Sequence, residues 1–256
     1  MASAPQYKHV IWIWMENHSY GTIIGSLQAP FINSVAAECG LATNYHNISH
    51  PSLPNYIAAT SGLGYSALQK FPDCNPVPAC STSARSIFAQ GESWRAYEDS
   101  MPSNCYRKDS GEYAVRHNAP PYYTTLSGCS ANDVRYPRLA RDLATYSLPA
   151  FSFITPNLIH DMHDGTIADG DRWLATNLPP ILSSHEYQSG STVVMITWDE
   201  GRGGSPAAVT PRRRRVQGCP DATTTMSRSR PITVARSPVG LRGPSMKPRS
   251  ADPALT

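Results

Sequence analysis

Three short apolar segments limit the folds that this chain can adopt. His9–Met15, residues 150–155 and residues 191–198 are nearly continuous runs rich in β-branched and aromatic side chains. Such runs are typical of strands that are buried on both faces of a parallel sheet. Helical patterns over residues 30–39 and 169–182 occupy the stretches between these runs. The sequence therefore predicts an α/β fold with a mainly parallel central sheet.

Polar side chains follow each of these three predicted strands. The clusters are Glu16 and Asn17, then His160, Asp161, His163 and Asp164, and finally Asp199 and Glu200. Because chemistry collects at the carboxyl ends of the strands in an open α/β sheet, we expect the three clusters to converge. Mainly oxygen ligands favour Mg²⁺, Ca²⁺ or Mn²⁺, whereas the histidines also admit Zn²⁺ or Fe. The pattern predicts a divalent metal site, although each cluster alone could be an ordinary exit from a strand.

The segment over residues 47–62 contains a candidate nucleophile. Ser52 stands between Pro51 and Pro54, which stiffen the backbone, and a helical turn is predicted from Tyr56 to the stop at Gly62. A hydroxyl just before a helix N-terminus meets backbone N–H groups and a dipole that favours an anion. This arrangement suits attack on a phosphate ester. The alternative is a proline-rich surface loop with an incidental serine.

The histidines after the second predicted strand are candidates for the general acid. When a phosphate ester is cleaved, the departing oxygen must take up a proton. His160 or His163 could supply that proton. The alternative interpretation is that both are solvated loop histidines.

Charge divides the chain into two unlike parts. Residues 201–256 hold eleven basic and two acidic side chains, a net charge of +9, while the first 200 residues carry −6. No aromatic residue occurs beyond Trp198, and prolines recur throughout the tail. Such composition predicts a folded domain over residues 1–203 and an Arg/Pro-rich disordered tail over residues 204–256. The arginine run at residues 212–215 could attract nucleic acid, but without aromatic side chains for stacking we expect no such partner.

Six cysteines point to an oxidising compartment. They lack CxxC or zinc-site spacing, so disulfides are the better interpretation. The local pairs Cys74–Cys80 and Cys105–Cys129 are the predicted bridges, and they fall in a loosely patterned insertion over residues 63–133. No apolar run reaches the roughly 18 residues of a membrane span, and no signal peptide is visible. The cysteines, rather than a targeting signal, are the reason that we expect a secreted or cell-envelope protein.

Four motifs, in order along the chain, resemble the phosphoesterase family of bacterial acid phosphatases and phospholipases C. They are Trp-Met-Glu-Asn-His-Ser-Tyr at residues 14–20, His-Pro-Ser-Leu-Pro-Asn-Tyr-Ile-Ala-Ala-Thr-Ser-Gly at 50–62, Thr-Pro-Asn-Leu-Ile-His-Asp-Met-His-Asp at 155–164 and Trp-Asp-Glu-Gly at 198–201. The family includes secreted phosphatases that act on phosphatidylinositol 3-phosphate. The resemblance implies an alkaline-phosphatase-like sandwich, with a central sheet between two layers of helices.

The resemblance also implies roles for individual residues. Ser52 would be the phosphorylated nucleophile, and the metal ligands would be Glu16, Asn17, Asp199 and Glu200. Arg116-His117-Asn118 matches a motif that faces the phosphate pocket. The residues expected to bind the substrate are His50, Asn55, His117, Asn118 and Asp161.

These observations predict metal-dependent hydrolysis of phosphate monoesters through a phosphoserine. Two alternatives stay open: a phospholipase C, and an inactive relative that binds phosphate esters. Members of the family usually continue past the Asp-Glu-Gly motif into another strand and a helix with a His-Tyr-Ser-Leu-type sequence, which this chain lacks. Our hypothesis for the tail is out-of-frame translation of a GC-rich gene, which would impair activity.

Overall fold

A six-stranded sheet forms the centre of the protein. The computed structural model describes residues 6–201 and the backbone of residues 209–212. The strands are β1 (His9–Met15), β2 (Trp94–Glu98), β3 (Asp133–Arg135), β4 (Phe151–Thr155), β5 (Thr192–Trp198) and β6 (Val209–Arg212). Their order across the sheet is β3-β2-β4-β1-β5-β6. The first five strands in this order are parallel, and β6 pairs antiparallel with β5 at the edge. The predicted α/β fold with a mainly parallel sheet is confirmed.

Eight α-helices accompany the sheet in the described part of the chain. They are α1 (Tyr20–Ile23), α2 (Pro30–Glu38), α3 (Ser52–Ser61), α4 (Tyr65–Leu68), α5 (Cys129–Asn132), α6 (Arg138–Ala144), α7 (Ile167–Ser183) and α8 (His185–Gln188). Short 3-10 turns cover Pro78–Cys80, Ile87–Ala89, Val115–His117 and Pro120–Tyr122. The helix α7 begins at Ile167, two residues before the predicted start, because Thr166 and Asp169 form a reciprocal capping box.

Alternation along β1 builds a separate hydrophobic core on each face of the sheet. Ile11 and Ile13 point to the face that α2 and α7 cover, whereas Trp12 and Trp14 point to the face that α3 covers. Successive side chains of a strand alternate between faces, so a strand with no polar position is buried on both sides. The result is three layers, helices on either side of a sheet, as the resemblance implied.

The helix α3 differs from its prediction in a way that affects the candidate nucleophile. It begins at Ser52 rather than near Tyr56, and Pro54 lies in its first turn. Proline is tolerated there because the first N–H groups of a helix have no partner within the helix. Gly62 ends the helix in the left-handed conformation, with φ of 74°. Ser52 is therefore the first residue of the helix and not part of a preceding loop.

Residues 63–133 do more than carry the disulfides. Both predicted bridges, Cys74–Cys80 and Cys105–Cys129, are present and confirmed. The segment also supplies β2, which lies between β3 and β4 inside the sheet. It is therefore part of the central architecture as well as a disulfide-containing region.

Four residues of the predicted tail join the sheet. The backbone of Val209–Arg212 forms β6, in which Pro211 lies opposite Met195 of β5. An edge strand can hold a proline because one of its sides needs no ladder hydrogen bond. At these four residues the expectation of a tail without regular structure is wrong. The rest of the predicted tail lies outside the described residues.

A glycine in the loop after β4 offers a test of this packing. A Cβ on Gly165 would lie 2.0 Å from the backbone oxygen of Ile159, so Gly165→Ala should force the loop to move. We expect it to reduce the free energy of unfolding by about 1–3 kcal/mol, the usual cost of overpacking. Thermal or denaturant unfolding measures the change.

The matched control for this substitution is Gly21→Ala in α1, where a Cβ would meet no atom within 4 Å. We expect the control to be neutral or slightly stabilising, because alanine favours a helix over glycine. Equal stabilities of the two variants would contradict the packing described for the loop.

Candidate active site

The carboxyl ends of β4, β1 and β5 meet at one edge of the sheet. The N–H of Asp199 donates to the carbonyl of Met15 at 2.9 Å, and the N–H of Glu16 donates to the carbonyl of Asp161 at 2.8 Å. The first bond continues the pairing of β5 with β1 by one residue, and the second joins the end of β1 to the loop that follows β4. The structure thus brings together one acidic residue from each of the three predicted clusters.

Ser52 lies directly against this group of carboxylates. Its hydroxyl donates to Glu16 Oε2 at 2.9 Å, and the side chain is buried, with 2% of its surface exposed. The Tyr56 hydroxyl donates to the other oxygen of Glu16, Oε1, at 2.6 Å. Ser52 and Tyr56 are one turn apart on α3, so they face the same side. Glu16 is therefore held by two hydroxyl donors from one helix.

Asn17 connects the ends of β1 and β5 through its backbone. Its N–H donates to Asp199 Oδ1 at 3.1 Å. The residue has a φ of 55°, in the left-handed region that asparagine tolerates better than most residues. This turn directs the chain after β1 towards Asp199.

Burial makes the carboxylates unusually weak acids. Burial first, then the charges of Asp199 and Asp161, raises the pKa of Glu16 well above its usual value. Burial, then the charge of Glu200, raises the pKa of Asp199 to about 8. Burial likewise raises the pKa of Asp161 to about 8. Taking several negative charges out of water is costly unless protons or cations neutralise them.

His117 stands between two of these acids. Its Nδ1 lies 3.1 Å from Asp161 Oδ2, and its Nε2 lies 3.4 Å from Glu16 Oε1. The ring stacks on Tyr56 with the centroids 5.6 Å apart, and the His163 ring lies 5.4 Å away. Burial, followed by the charge of Arg116, lowers the pKa of His117 well below its usual value. His117 is therefore neutral near pH 7, and Asp161 fixes its orientation.

The donor set at this edge of the sheet fits a divalent cation. Oxygen and nitrogen atoms of Glu16, His117 and His163 lie within 4.8 Å of one another. His117 Nε2 and Asp199 Oδ2 are buried without a geometrically acceptable hydrogen bond, so both can accept a new partner. A second group of possible ligands, Cys105, Cys129 and Asp133, does not fit, because its two sulfur atoms form a disulfide.

Glu200 lies at the margin of the site with two of the predicted substrate-binding residues. Its Oε2 lies 2.7 Å from Nδ1 of His50, which is half exposed, and 3.4 Å from the Asn55 amide nitrogen. Burial, then the charge of Asp73, raises the pKa of Glu200 to about 7. The Asn55 side chain also binds the backbone at Ile48, Ser49 and Pro51. Its contacts are therefore mainly those of a brace for the loop that precedes Ser52.

Two predicted residues direct their contacts elsewhere. The Nδ1 atom of His160 lies 2.7 Å from Asp99 Oδ2, and its ring stacks on Trp173. Asn118 is fully buried and donates to the Tyr113 hydroxyl and to Asp133, both at 2.9 Å. The amide nitrogen of Asn118 thus belongs to a buried cluster with Tyr113 and Asp133, and substrate binding by this side chain stays a prediction.

His163 is the better placed of the two candidate general acids. It neighbours His117, and its Nε2 lies 3.4 Å from Arg116 Nη2. Its Nδ1 lies 2.6 Å from Asp164 Oδ1, and its backbone N–H donates to Asp161 at 2.7 Å. The loop after β4 thus turns His163 towards the carboxylates, while His160 faces Asp99.

Tyr56 and Asp73 were not among the expected site residues, and Arg116 was expected only as part of the motif that faces the phosphate pocket. Tyr56 could have been found by starting the helix at Ser52, since residues four apart share a face. Asp73 lies 20 positions from Leu53, whose N–H donates to Asp73 Oδ1 at 3.0 Å. No pattern in the sequence connects these two positions. The N–H groups at the start of α3 were expected to bind an anion. One of them, the Leu53 N–H, already binds the carboxylate of Asp73.

A cavity of about 310 Å³ opens beside the site. Its lining includes Asp73, Asp109, Arg116 and His163. Since Asp73 contacts the first turn of α3 and His163 contacts His117, the cavity borders the group around Ser52. It offers room for the part of a substrate next to the reacting group.

Comparison with known proteins identifies the family. The sequence profile of the Phosphoesterase family matches residues 26–238, most of the chain. The chain belongs to the phosphoesterase family. This phosphoesterase is 30% identical to the phosphatidylinositol-3-phosphatase of Mycobacterium tuberculosis, over 80% of this chain and 67% of that protein. It is 29% identical to the phosphate-repressible acid phosphatase of Penicillium chrysogenum, over 74% of this chain but only 47% of that protein.

Solved structures agree with this phosphoesterase in fold. A protein of the alkaline phosphatase superfamily from Vibrio parahaemolyticus superposes with a TM-score of 0.53 at 13% identity. The match covers 83% of this chain and 61% of the other. A protein of glycosaminoglycan metabolism from Bacteroides thetaiotaomicron gives a TM-score of 0.51 at 11% identity, covering 81% of this chain and 67% of the other. At such low identity the likeness establishes the alkaline-phosphatase-like fold alone. Within the described residues no helix is both long and apolar enough to span a membrane.

The buried acids predict how stability depends on pH. Asp133, Asp161 and Asp199 have pKa values of about 8 in the fold, against about 4 in an unfolded chain. At pH 7 the folded state therefore binds more protons than the unfolded state, so raising the pH removes stability. From pH 7 to pH 9 we expect the free energy of unfolding of the metal-free protein to fall by about 2–4 kcal/mol.

Denaturant unfolding at the two pH values measures this fall in the free energy of unfolding. The fall should be smaller in Asp199→Asn, because this variant lacks one of the three acids. A saturating divalent cation should flatten the dependence, because it would take over the role of the protons. A metal-free protein that is equally or more stable at pH 9 would contradict the electrostatic description.

Proposed function

We propose that this phosphoesterase hydrolyses phosphate monoesters, with Ser52 as the nucleophile. The observation that carries the proposal is the Ser52 hydroxyl at the start of α3, donating to Glu16 beside Asp199. A hydroxyl that is buried against carboxylates and fixed by a helix is placed for covalent catalysis rather than for solvation. The named phosphatases among the relatives support the same reaction class.

A divalent cation would be held by Glu16, Asn17, Asp199 and Glu200, with His117 as a nearby nitrogen donor. When bound, such an ion would neutralise the charge of the phosphate and lower the pKa of the attacking hydroxyl. The orphaned oxygen of Asp199 and the orphaned nitrogen of His117 support this assignment. The set admits Mg²⁺, Ca²⁺, Mn²⁺, Zn²⁺ or Fe.

The reaction would proceed in two displacements. Ser52 Oγ forms a bond to phosphorus while the bond from phosphorus to the ester oxygen breaks, and the hydroxyl proton leaves towards the neighbouring carboxylates. His163 would give a proton to the departing oxygen, since it lies at the cavity. Water then hydrolyses the phosphoserine and releases inorganic phosphate. Asp161 would position His117, which burial keeps neutral, while Tyr56 would position Glu16.

The substrate class follows from the relatives and stays a proposal. The mycobacterial relative is named for phosphatidylinositol 3-phosphate and the fungal one for acid phosphatase activity. We infer a phosphate ester, with a phosphoinositide among the candidates. The two disulfides support secretion or a place in the cell envelope, where oxidising conditions preserve such bridges.

Replacement of the nucleophile tests the mechanism. We expect Ser52→Ala to reduce turnover of a generic phosphomonoester by about 1,000-fold or more, as for other covalent nucleophiles. The matched control is Ser49→Ala, since Ser49 is also buried but its hydroxyl bonds only to the His50 carbonyl. Quenched turnover of a labelled substrate, followed by peptide mapping, should place the label on Ser52. An active Ser52→Ala variant, or a label on another residue, would refute the assignment.

A further inference from the structure

An internal carboxylate occupies the first turn of α3, immediately beside Ser52. The backbone N–H of Leu53 donates to Asp73 Oδ1 at 3.0 Å. Such an N–H at the start of a helix would otherwise be free to bind an anion. Asp73 directly precedes the Cys74–Cys80 disulfide, which fixes the segment that carries it. The carboxylate is therefore held at this place by the covalent framework of the chain.

The same carboxylate also faces the nearest guanidinium. Arg116 Nε lies 3.7 Å from Asp73 Oδ2, and Arg116 Nη1 lies 3.6 Å from Asp109 Oδ2. Arg116 Nη2 lies 3.4 Å from His163 Nε2, and both side chains line the cavity beside the site. An arginine is a strong partner for phosphate oxygens. In this structure its charge is shared between two aspartates.

Other atoms show that this place is built for a ligand. His117 Nε2 and Asp199 Oδ2 are fully buried and have no hydrogen-bond partner. Both atoms are acceptors that a cation could fill, so an incoming phosphate would depend on the donors beside Ser52, where Asp73 already supplies a negative charge.

We propose that Asp73 sets the affinity of the site for phosphate, because it competes with the phosphate group for the Leu53 N–H and for Arg116. The proposal rests on the function proposed above. A phosphate oxygen that approaches Ser52 needs the same donors, and Asp73 adds repulsion between like charges. Asp73 therefore weakens the binding of free inorganic phosphate, which favours product release. Its removal strengthens phosphate binding and lowers KM.

The test is Asp73→Asn, which keeps an oxygen acceptor for the Leu53 N–H but removes the charge. Inorganic phosphate, used as a competitive inhibitor, should bind about 10-fold more tightly to this variant. The reason is that the variant lacks one negative charge that repels the phosphate. KM should fall with it, whereas a purely structural role would lower stability without tightening phosphate binding. The phosphate-dependent rise in melting temperature, measured on the metal-loaded protein, gives the same affinity without turnover.

The matched control is Asp109→Asn. Asp109 lies as close to Arg116 as Asp73 does and carries the same charge, but its other oxygen accepts from Val115 rather than from α3. It is also more exposed, at 58% of its side chain against 30% for Asp73, so solvent screens it more strongly. We expect the control to change phosphate affinity by less than about 3-fold.

Unchanged or weaker phosphate binding in Asp73→Asn would overturn the proposal, and so would an equal gain in Asp109→Asn. If Asp73→Asn does not fold, Asp73→Ser supplies a shorter neutral acceptor, and failure of both variants to fold would show a structural role instead. If the wild-type protein hydrolyses phosphomonoesters and Asp73→Asn binds phosphate with the same affinity as the wild type, only this inference is refuted. A wild-type protein that neither hydrolyses esters nor binds phosphate refutes the proposed function as well.

Discussion

The parallel pairing of β1 with β4 and β5 determines where the site forms. Met15 lies opposite Trp198, and the next residues along, Glu16 and Asp199, therefore leave the sheet side by side. A shift of one residue in this register would turn every side chain of β1 to the other face. The apolar faces of β1 prevent such a shift, since Ile11 and Ile13 fill one core while Trp12 and Trp14 fill the other. The packing of the two cores thus fixes the positions of the acidic residues.

The same arrangement creates an electrostatic problem that explains the remaining contacts. Glu16, Asp161 and Asp199 are buried together at the strand ends. Tyr56 and Ser52 donate to Glu16, the Asn17 N–H donates to Asp199, and the His163 N–H donates to Asp161. These donors reduce the cost of burial without removing it, and the pKa values of all three acids stay raised. A bound divalent cation would supply the missing positive charge, which connects the stability of the fold with the proposed chemistry.

The sequence was informative wherever a signal was local. Strands buried on both faces are continuous apolar runs, so β1, β4 and β5 could be predicted, and cysteines six and 24 residues apart could be paired correctly. The strand β2 carries a weaker signal, because Trp94–Glu98 contains Arg95 and Glu98. Its place inside the sheet depends on pairing with β4, over 50 positions away.

The site shows the same division between local and long-range information. The polar residues after each strand were visible in the sequence, and the structure brings Glu16, Asp161 and Asp199 together. The sequence does not reveal in which direction each side chain of a turn points, so His160 and His163 could not be distinguished. In the structure His160 faces Asp99, whereas His163 neighbours His117. The contact between Asp73 and Leu53 depends on how the disulfide-bonded segment folds back on α3, and no periodicity encodes it.

The most direct test of the central claim is a crystal structure of the protein with a divalent cation and orthovanadate, an analogue of phosphate in transfer. The claim is that the three strand ends and α3 form a single metal-assisted phosphoryl-transfer centre. It predicts a cation at roughly 2–2.6 Å from oxygens of Glu16 and Asp199, with vanadium bonded to Ser52 Oγ. A cation bound only elsewhere, or vanadate that binds away from Ser52, would contradict it.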